Sequence, residues 1–279
     1  TARARVTFTD SSKGYSTEVV ILCKDSGYAF ATSLYPGTYV VRLRGEGWTG
    51  QNLPTAWFLA QTALVVAGDL SGQVLAVQTF RISGSITVNG AAPTNDGQCS
   101  AANNPNTARA RVTFTDSSKG YSTEAVILCK DSGYTFATSL YPGTYLVRVR
   151  GGGWTGQNLP TASFLAKPGL VVAADLSDQV LAVLTYPVGG QITVNGAPPT
   201  NDSQCSAANN PNTARARVTF NDSGQGYSTE AVILCKDSGY RFSTSLYPGT
   251  YAVRVRGEGW TGQNLPPTSY LAVRALQIP

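Results

Sequence analysis

Histidine and methionine are both absent from the 279 residues. Without histidine the chain lacks the usual general base and the commonest metal ligand. Without an initiator methionine, residue 1 is not a translation start, and a mature form or an excerpt of a longer chain is expected. Charge is scarce as well. Charged residues make up 13% of the chain and the net charge is +5, a mild basic bias far below that of a dedicated nucleic-acid binder. Threonine, serine, glycine, asparagine and tyrosine do the solvating instead, as in many secreted β-proteins. No apolar run approaches the roughly 18 residues of a membrane span. No stretch reads as a signal peptide or a low-complexity tract.

The usual catalytic arrangements are missing too. There is no pair of carboxylates, no Ser/His/Asp or Cys/His set, and no glycine loop that would cradle a phosphate. Glu124 and its counterparts Glu18 and Glu230 stand singly at the start of a strand, which makes them poor catalytic candidates. The expectation is a protein with no catalytic residues, no cofactor and no metal.

What is present is repetition. Hydrophobic residues, at 42%, suffice for ordinary cores. Cysteines recur every 106 residues at Cys23, Cys129 and Cys235, as do Trp48, Trp154 and Trp260. Cys99 and Cys205 keep the same spacing. Near-identical units of this length are each large enough to hold a core, unlike solenoid repeats of about 20–50 residues. Each copy is organised around one stretch, KDSGYTFATSLYPGTYLVRVRG in its middle version, at Lys24–Gly45, Lys130–Gly151 and Lys236–Gly257. It reads as strand, tight turn, strand, with proline presetting φ and glycine accepting a positive φ. Tyr145, Val147 and Val149 alternate with Leu146, Arg148 and Arg150, the period-two pattern of a half-buried strand.

Cut at its first strand, the chain divides into 1–83, 84–189 and 190–279. The second unit is complete, from GSITVNGAAPT at Gly84. The first lacks that opening strand, and the third lacks the closing strand seen as QVLAVQTF at Gln73–Phe80. The expectation is a window cut from a longer tandem array. Within the second unit, strands are predicted at Ser85–Asn89, Arg109–Thr115 and Thr123–Cys129, then the central hairpin, then Ser163–Ala166, Leu170–Ala173 and Gln179–Thr185. Short strands, frequent turn signals and no helical period predict tandem all-β sandwiches. Thr185–Gly189 joins two units with no flexible linker, so neighbouring units are expected to be restrained in orientation.

The segments ISGSITVNGAAP, ARVTFTD and DSGYxFxTSLYPGTYxVRVRG resemble bacterial carboxypeptidase regulatory-like domains, and the resemblance implies an Ig-like, transthyretin-like (prealbumin-like) sandwich of about seven strands in each unit. That resemblance implies non-catalytic spacers, stalks and repeats of large secreted or surface proteins. It supplies no catalytic residues, and the hormone site of transthyretin does not carry over.

Other residues could carry function. The 30-residue spacing of Cys99 and Cys129, and of Cys205 and Cys235, reads as one disulfide per unit, with Cys23 pairing outside the chain. Disulfides imply an oxidising, extracellular compartment. Val20 and Leu22, Val126 and Leu128, and Val232 and Leu234 sit on the outer face of apolar strands. Either a loop covers them or they contact the next unit or another chain. Trp48, Trp154 and Trp260 lie in GWTGQNLP loops, where an indole stacks on a sugar or packs over the sandwich end with its N–H on a carbonyl. Arg42, Arg44, Arg148, Arg150, Arg254 and Arg256, with Arg5, Arg111 and Arg217, form either a solvated basic face or a stripe for acidic polysaccharide or a neighbour's acidic residues. They lack the stacking aromatics of a nucleic-acid binder. Asp10, Asp69, Asp96, Asp116, Asp175 and Asp222 lie in turns, where aspartate ordinarily caps backbone N–H groups.

The leading expectation is an extracellular structural array, a stalk, fibre or filament whose partners are further copies or adjacent repeats. The alternatives are a multivalent polysaccharide-binding adhesin and the non-catalytic spacer of a secreted enzyme.

Overall fold

A computed structural model of the chain describes residues 1–25, 27–48, 51–95, 97–154 and 156–279. Asp96, and Thr49, Gly50 and Thr155 of the tryptophan loops, lie outside the described residues. Among the described residues the regular structure is all strand. None of them forms a helix long and apolar enough to cross a membrane.

The first unit holds β1 (Ala2–Asp10), β2 (Tyr15–Leu22), β3 (Gly37–Gly45) and β4 (Phe58–Val66) in one antiparallel sheet, ordered β2-β1-β3-β4. The second holds β5 (Phe80–Val88), β6 (Ala108–Asp116), β7 (Tyr121–Leu128), β8 (Thr135–Leu140), β9 (Gly143–Gly151), β10 (Phe164–Val172) and β11 (Leu176–Val183). These form two sheets, β10-β9-β6-β7 and β11-β5-β8. The third holds β12 (Tyr186–Gln191), β13 (Ala214–Asp222), β14 (Tyr227–Leu234), β15 (Arg241–Leu246), β16 (Gly249–Gly257) and β17 (Tyr270–Ile278). Its sheets are β14-β13-β16-β17 and β12-β15.

Alternation decides which face is inside. On β6, Ala110, Val112 and Phe114 are buried while Arg111, Thr113 and Thr115 face outward. On β9, Tyr145, Val147 and Val149 are buried from the same sheet. The opposite sheet supplies Ile82, Ile86, Phe136, Leu140 and Leu181. The Phe114 and Phe136 rings meet across the two layers with centroids 5.9 Å apart. Each fully buried side chain of this size contributes about 1.5–3 kcal/mol.

The central hairpin is not a hairpin. β8 and β9 lie in different sheets, and the chain crosses between layers at Tyr141 and Pro142. Period-two patterning marks each strand's inner face, but it does not distinguish strands that pair from strands that face each other. The glycine of the turn also has another role. Gly143 does not have a positive φ. A Cβ there would lie 2.4 Å from Asp116 Oδ2, so glycine is required by the approach of a carboxylate. Asn89 and Gly90 (φ 53° and 82°), by contrast, make the tight left-handed turn that ends β5, with Val88 bridging Ala91.

Three further expectations are revised. The opening strand begins at Phe80, ahead of Gly84. Residues 163–166 and 170–173 belong to one strand, β10, irregular on both sides of Lys167. Gln73–Thr79 forms no strand, and neither does Ala29–Leu34. The reason is topological. In the second unit β5 is the centre of its sheet, parallel to β11 and antiparallel to β8. Among the described residues before Phe80 no strand takes the place of β5, so the segments that would flank it lack that backbone partner.

The parallel β5–β11 pair is close. A Cβ on Gly84 would stand 1.9 Å from the Gln179 carbonyl oxygen. Only glycine admits that approach.

Candidate functional site

The surfaces with functional potential are the joints between units, the tryptophan loops, the arginine face and the cysteines.

At the first joint, the segment leading into β4 meets the corner between β8 and β9. The Tyr141 hydroxyl donates to the Ala56 carbonyl at 3.1 Å, with a longer contact of 3.4 Å to the Pro54 carbonyl. The Phe58 ring lies 4.8 Å from the Tyr141 ring and 6.4 Å from that of Tyr121. The second joint repeats this. Tyr247 donates to Ala162 at 3.0 Å and to Pro160 at 3.2 Å, and Phe164 lies 4.8 Å from Tyr247. Tyr141 and Tyr247 are buried. Burial pushes both phenols well above their ordinary pKa, with nearby tyrosines adding to the shift, so both remain donors at any physiological pH. The cores of the second and third units and these joint residues form one continuous apolar cluster. The junction at Thr185–Gly189 is held as well: Asn89 Oδ1 accepts from the Thr185 N–H at 3.0 Å, and Tyr186 pairs with Leu246 of the third unit. Tyr186–Gln191 is strand β12, and the loop before β4 or β10 makes the contact with the tyrosine.

Sequence reasoning missed these tyrosines. The signal was the recurrence of Pro-Thr-Ala-x-Phe at Pro54–Phe58 and Pro160–Phe164, which becomes Pro-Pro-Thr-Ser-Tyr at Pro266–Tyr270.

In the tryptophan loops the polar groups are taken up internally. The indole N–H groups of Trp48, Trp154 and Trp260 donate to the carbonyls of Ala2, Ala108 and Ala214 at 2.7, 3.0 and 2.9 Å. Gln157 Oε1 accepts from Gly153 N–H at 3.0 Å, and its Nε2 donates to the Arg109 carbonyl and the Tyr134 hydroxyl. Asn158 Oδ1 accepts from Thr94 N–H at 2.8 Å. Trp154 and Trp260 are half-buried, and Trp48 is 47% exposed.

The arginine face carries its own counter-ions. Arg5 pairs with Glu18 and, at 2.7 Å, with Glu46. Arg111 pairs with Glu124, and Arg217 with Glu258 at 2.7 Å. The hydrogen bonds that Arg5 donates to the Glu18 and Glu46 carboxylates raise its pKa above the ordinary value. In the second unit Gly152 stands where the others have Glu46 and Glu258. Across the strands Arg111 faces Arg150 and Thr113 faces Arg148. Exposed pairs of this kind contribute up to about 1 kcal/mol each.

The apolar outer residues lie on the edge strands β2, β7 and β14. Val20, Val126 and Val232 are exposed, while Leu22, Leu128 and Leu234 are half-buried.

Cys99 bonds Cys129 and Cys205 bonds Cys235, each with Cα atoms 4.9 Å apart, while Cys23 is a free, exposed thiol. Beside each disulfide lies a buried arginine that sequence reasoning passed over. Arg109 donates to the carbonyls of Cys129, Asp131 and Gly133 at 2.8, 3.0 and 2.6 Å. Arg215 repeats the arrangement on Cys235 and Asp237.

The turn aspartates act as caps. Asp116 Oδ1 accepts from Ser118 Oγ at 2.6 Å and from Ser118 N–H at 3.0 Å, and Oδ2 accepts from Thr144 N–H at 3.1 Å. One carboxylate thereby ties the β6–β7 turn to the start of β9. Asp10 does the same with Ser12 and Thr38. Asp175 accepts from Arg81 N–H at 2.8 Å. Among the described residues, no group of three or more His, Cys, Asp or Glu gathers to hold a metal ion.

No protein-family model matches the chain, and no curated protein matches it. Among solved structures, a DUF3823 family protein from Bacteroides ovatus is 12% identical, with a TM-score of 0.27 over 72% of this chain and 98% of its own. The Bacillus anthracis TIE protein is 9% identical, with a TM-score of 0.20 over 100% of this chain and 45% of its own. At these values the likeness carries no argument about function. The architecture and the two disulfides stand on the chain's own strands: an all-β array of sandwich units.

Proposed function

We propose that the chain is an extracellular structural array, a rigid stalk or fibre segment built from carboxypeptidase regulatory-like sandwiches, with no catalytic role. The observation that carries this reading is the repeated joint. Tyr141 meets Ala56 and Phe58 as Tyr247 meets Ala162 and Phe164. When each unit grips the next through the same contact, one heterologous interface propagates without closing, and length grows by addition of units. The disulfides support an oxidising location. The opening GSITVNG and the LYPGTY corner support the family reading.

A polysaccharide-binding role draws less support, because the tryptophan, glutamine and asparagine groups suited to sugar hydroxyls are engaged within the loops. Small-angle scattering of the purified chain, with electron microscopy of native material, tests the proposal. A rod of fixed inter-unit spacing supports it. Freely jointed beads, or turnover of a substrate by the purified chain, would overturn it.

A further inference from the structure

On the outer face of the first unit, one carboxylate bridges two arginines of neighbouring strands. Glu46 accepts from Arg5 Nε at 2.7 Å and lies 3.6 Å from an Arg44 amino nitrogen. The third unit repeats this with Glu258, 2.7 Å from Arg217 Nε and 3.6 Å from Arg256. Arg5 and Arg44 are direct cross-strand partners, as are Arg217 and Arg256. Like charges placed opposite each other repel, and the shared carboxylate offsets that repulsion.

The second unit keeps the arginines and loses that carboxylate. Arg111 faces Arg150 in the same register, and the residue after β9 is Gly152. The Gly152 N–H donates to the Arg109 carbonyl at 2.9 Å, as that of Glu46 does to Arg3 at 3.2 Å. The backbone therefore keeps its course and only the side chain is gone. Glu124 now serves both arginines, touching Arg111 closely and Arg150 at 3.7 Å. Among the described residues no acceptor meets Arg111 Nε, the atom that holds Glu46 or Glu258 in the other units. The Arg111 and Arg150 side chains are 36% and 47% exposed, more than their counterparts in either neighbour.

We propose that Arg111 and Arg150 form a binding site for an external carboxylate, and that the ligand is a uronic-acid polysaccharide. Its carboxylate takes the place of the Glu46 side chain, accepting from Arg111 Nε and from the Arg150 guanidinium. The surroundings suit a sugar chain. Thr113 and Thr115 follow Arg111 along the outward row of β6, and Ser122 lies opposite Thr115, so hydroxyls lead away from the arginines. The Trp154 indole flanks the position, its Nε1 lying 2.9 Å from where a Cβ on Gly152 would stand. The polar groups of the tryptophan loop stay engaged as described, and the arginines do the binding. A second copy of the chain is a poorer source of the carboxylate. Every glutamate pairs with an arginine, and most of the described aspartates accept backbone N–H groups. The inference concerns the flank of one unit and does not depend on the fibre reading.

Titration of the full chain with oligogalacturonate at low ionic strength tests the proposal, read by calorimetry and by the Arg111 Nε–H resonance. We expect one saturable site per chain, a shifted Nε–H signal, and binding that weakens as salt screens the pair. The methyl-esterified oligomer has the same rings without the charge and should not bind. Tetraglutamate should bind several-fold more weakly than the uronate. Arg150→Gln should weaken binding about fivefold, the scale of one exposed ion pair. Gly152→Glu should do the same by supplying the chain's own carboxylate. Its Cβ would stand 2.4 Å from the Ala108 carbonyl oxygen, so the loop must shift to admit it. Glu258→Gly avoids that strain and should open a second site, on the third unit. No second site in the Glu258→Gly chain, parental binding by Arg150→Gln, or tetraglutamate binding as tightly as the uronate would overturn the proposal.

Discussion

The Tyr141 hydroxyl donates to the carbonyl of Ala56, 85 positions earlier in the chain, at 3.1 Å from inside a buried corner. The same bond from Tyr247 to Ala162 has the same separation of 85. Replacing Tyr141 by phenylalanine removes this bond and keeps the ring. The expected loss is about 1 kcal/mol. Tyr141→Ala removes the ring as well and should lose about 3–5 kcal/mol, as large aromatic-to-alanine changes do. Equilibrium denaturation of both variants checks the order. Equal losses would mean that the ring contributes nothing at the joint.

Gly84→Val drives a side chain into the Gln179 carbonyl, 1.9 Å from the first added carbon. Something must move, and the parallel partner β11 sits at the sheet edge. Amide exchange should therefore rise on Leu176–Val183 ahead of β6 and β9. Gly169→Ala meets nothing within 4 Å and should leave exchange unchanged.

Replacing Cys99 and Cys129 together by serine opens a 30-residue span. By the loop-entropy model this lowers stability by about 3–4 kcal/mol. Chemical denaturation in the absence of reductant reads the loss. Peptide mapping of the parent chain should recover Cys99–Cys129 and Cys205–Cys235 crosslinks, with Cys23 alkylated.

Acid should weaken the corner at Asp116. Burial pushes its carboxyl pKa upward, but the Ser118 hydroxyl and the amides of Thr144, Lys119 and Ser118 outweigh that and hold it below the ordinary value. For Asp10 the Ser12 hydroxyl is the leading cause of the same lowering. A carboxyl with a depressed folded pKa stabilises the fold above the unfolded value of about 3.9, and the stabilisation is lost as pH falls through the folded value. Stability measured against pH for the parent and Asp116→Asn should therefore differ at pH 6 and converge near pH 2. A constant difference would show that the carboxylate's charge is immaterial there.

The sequence made the inner and outer faces readable. Val112 and Phe114 alternate with Arg111 and Thr113 as the pleat demands, and the structure buries them accordingly. The cysteine spacing also pointed to the observed pairs. What could not be read was which strands pair. Phe136 and Tyr145 each follow a clean alternation, but they lie in opposite layers, because period two carries no information about the partner. The joint was illegible for a related reason. Tyr141 looked like part of a turn, and its hydrogen-bond acceptors lie in another unit. Whether the arginine face was solvated or a binding stripe stayed open in the sequence, because partners such as Glu18 for Arg5 come from an adjacent strand.

The parallel pairing of β5 with β11 sets how the second unit would respond to mechanical load. The chain enters this unit at Phe80 and leaves beyond Val183, at opposite ends of two strands running the same way. Tension along the backbone therefore slides one strand past the other, loading their hydrogen bonds together instead of peeling them apart in succession. A unit wired in this way yields only when the whole ladder gives, a geometry suited to a tether.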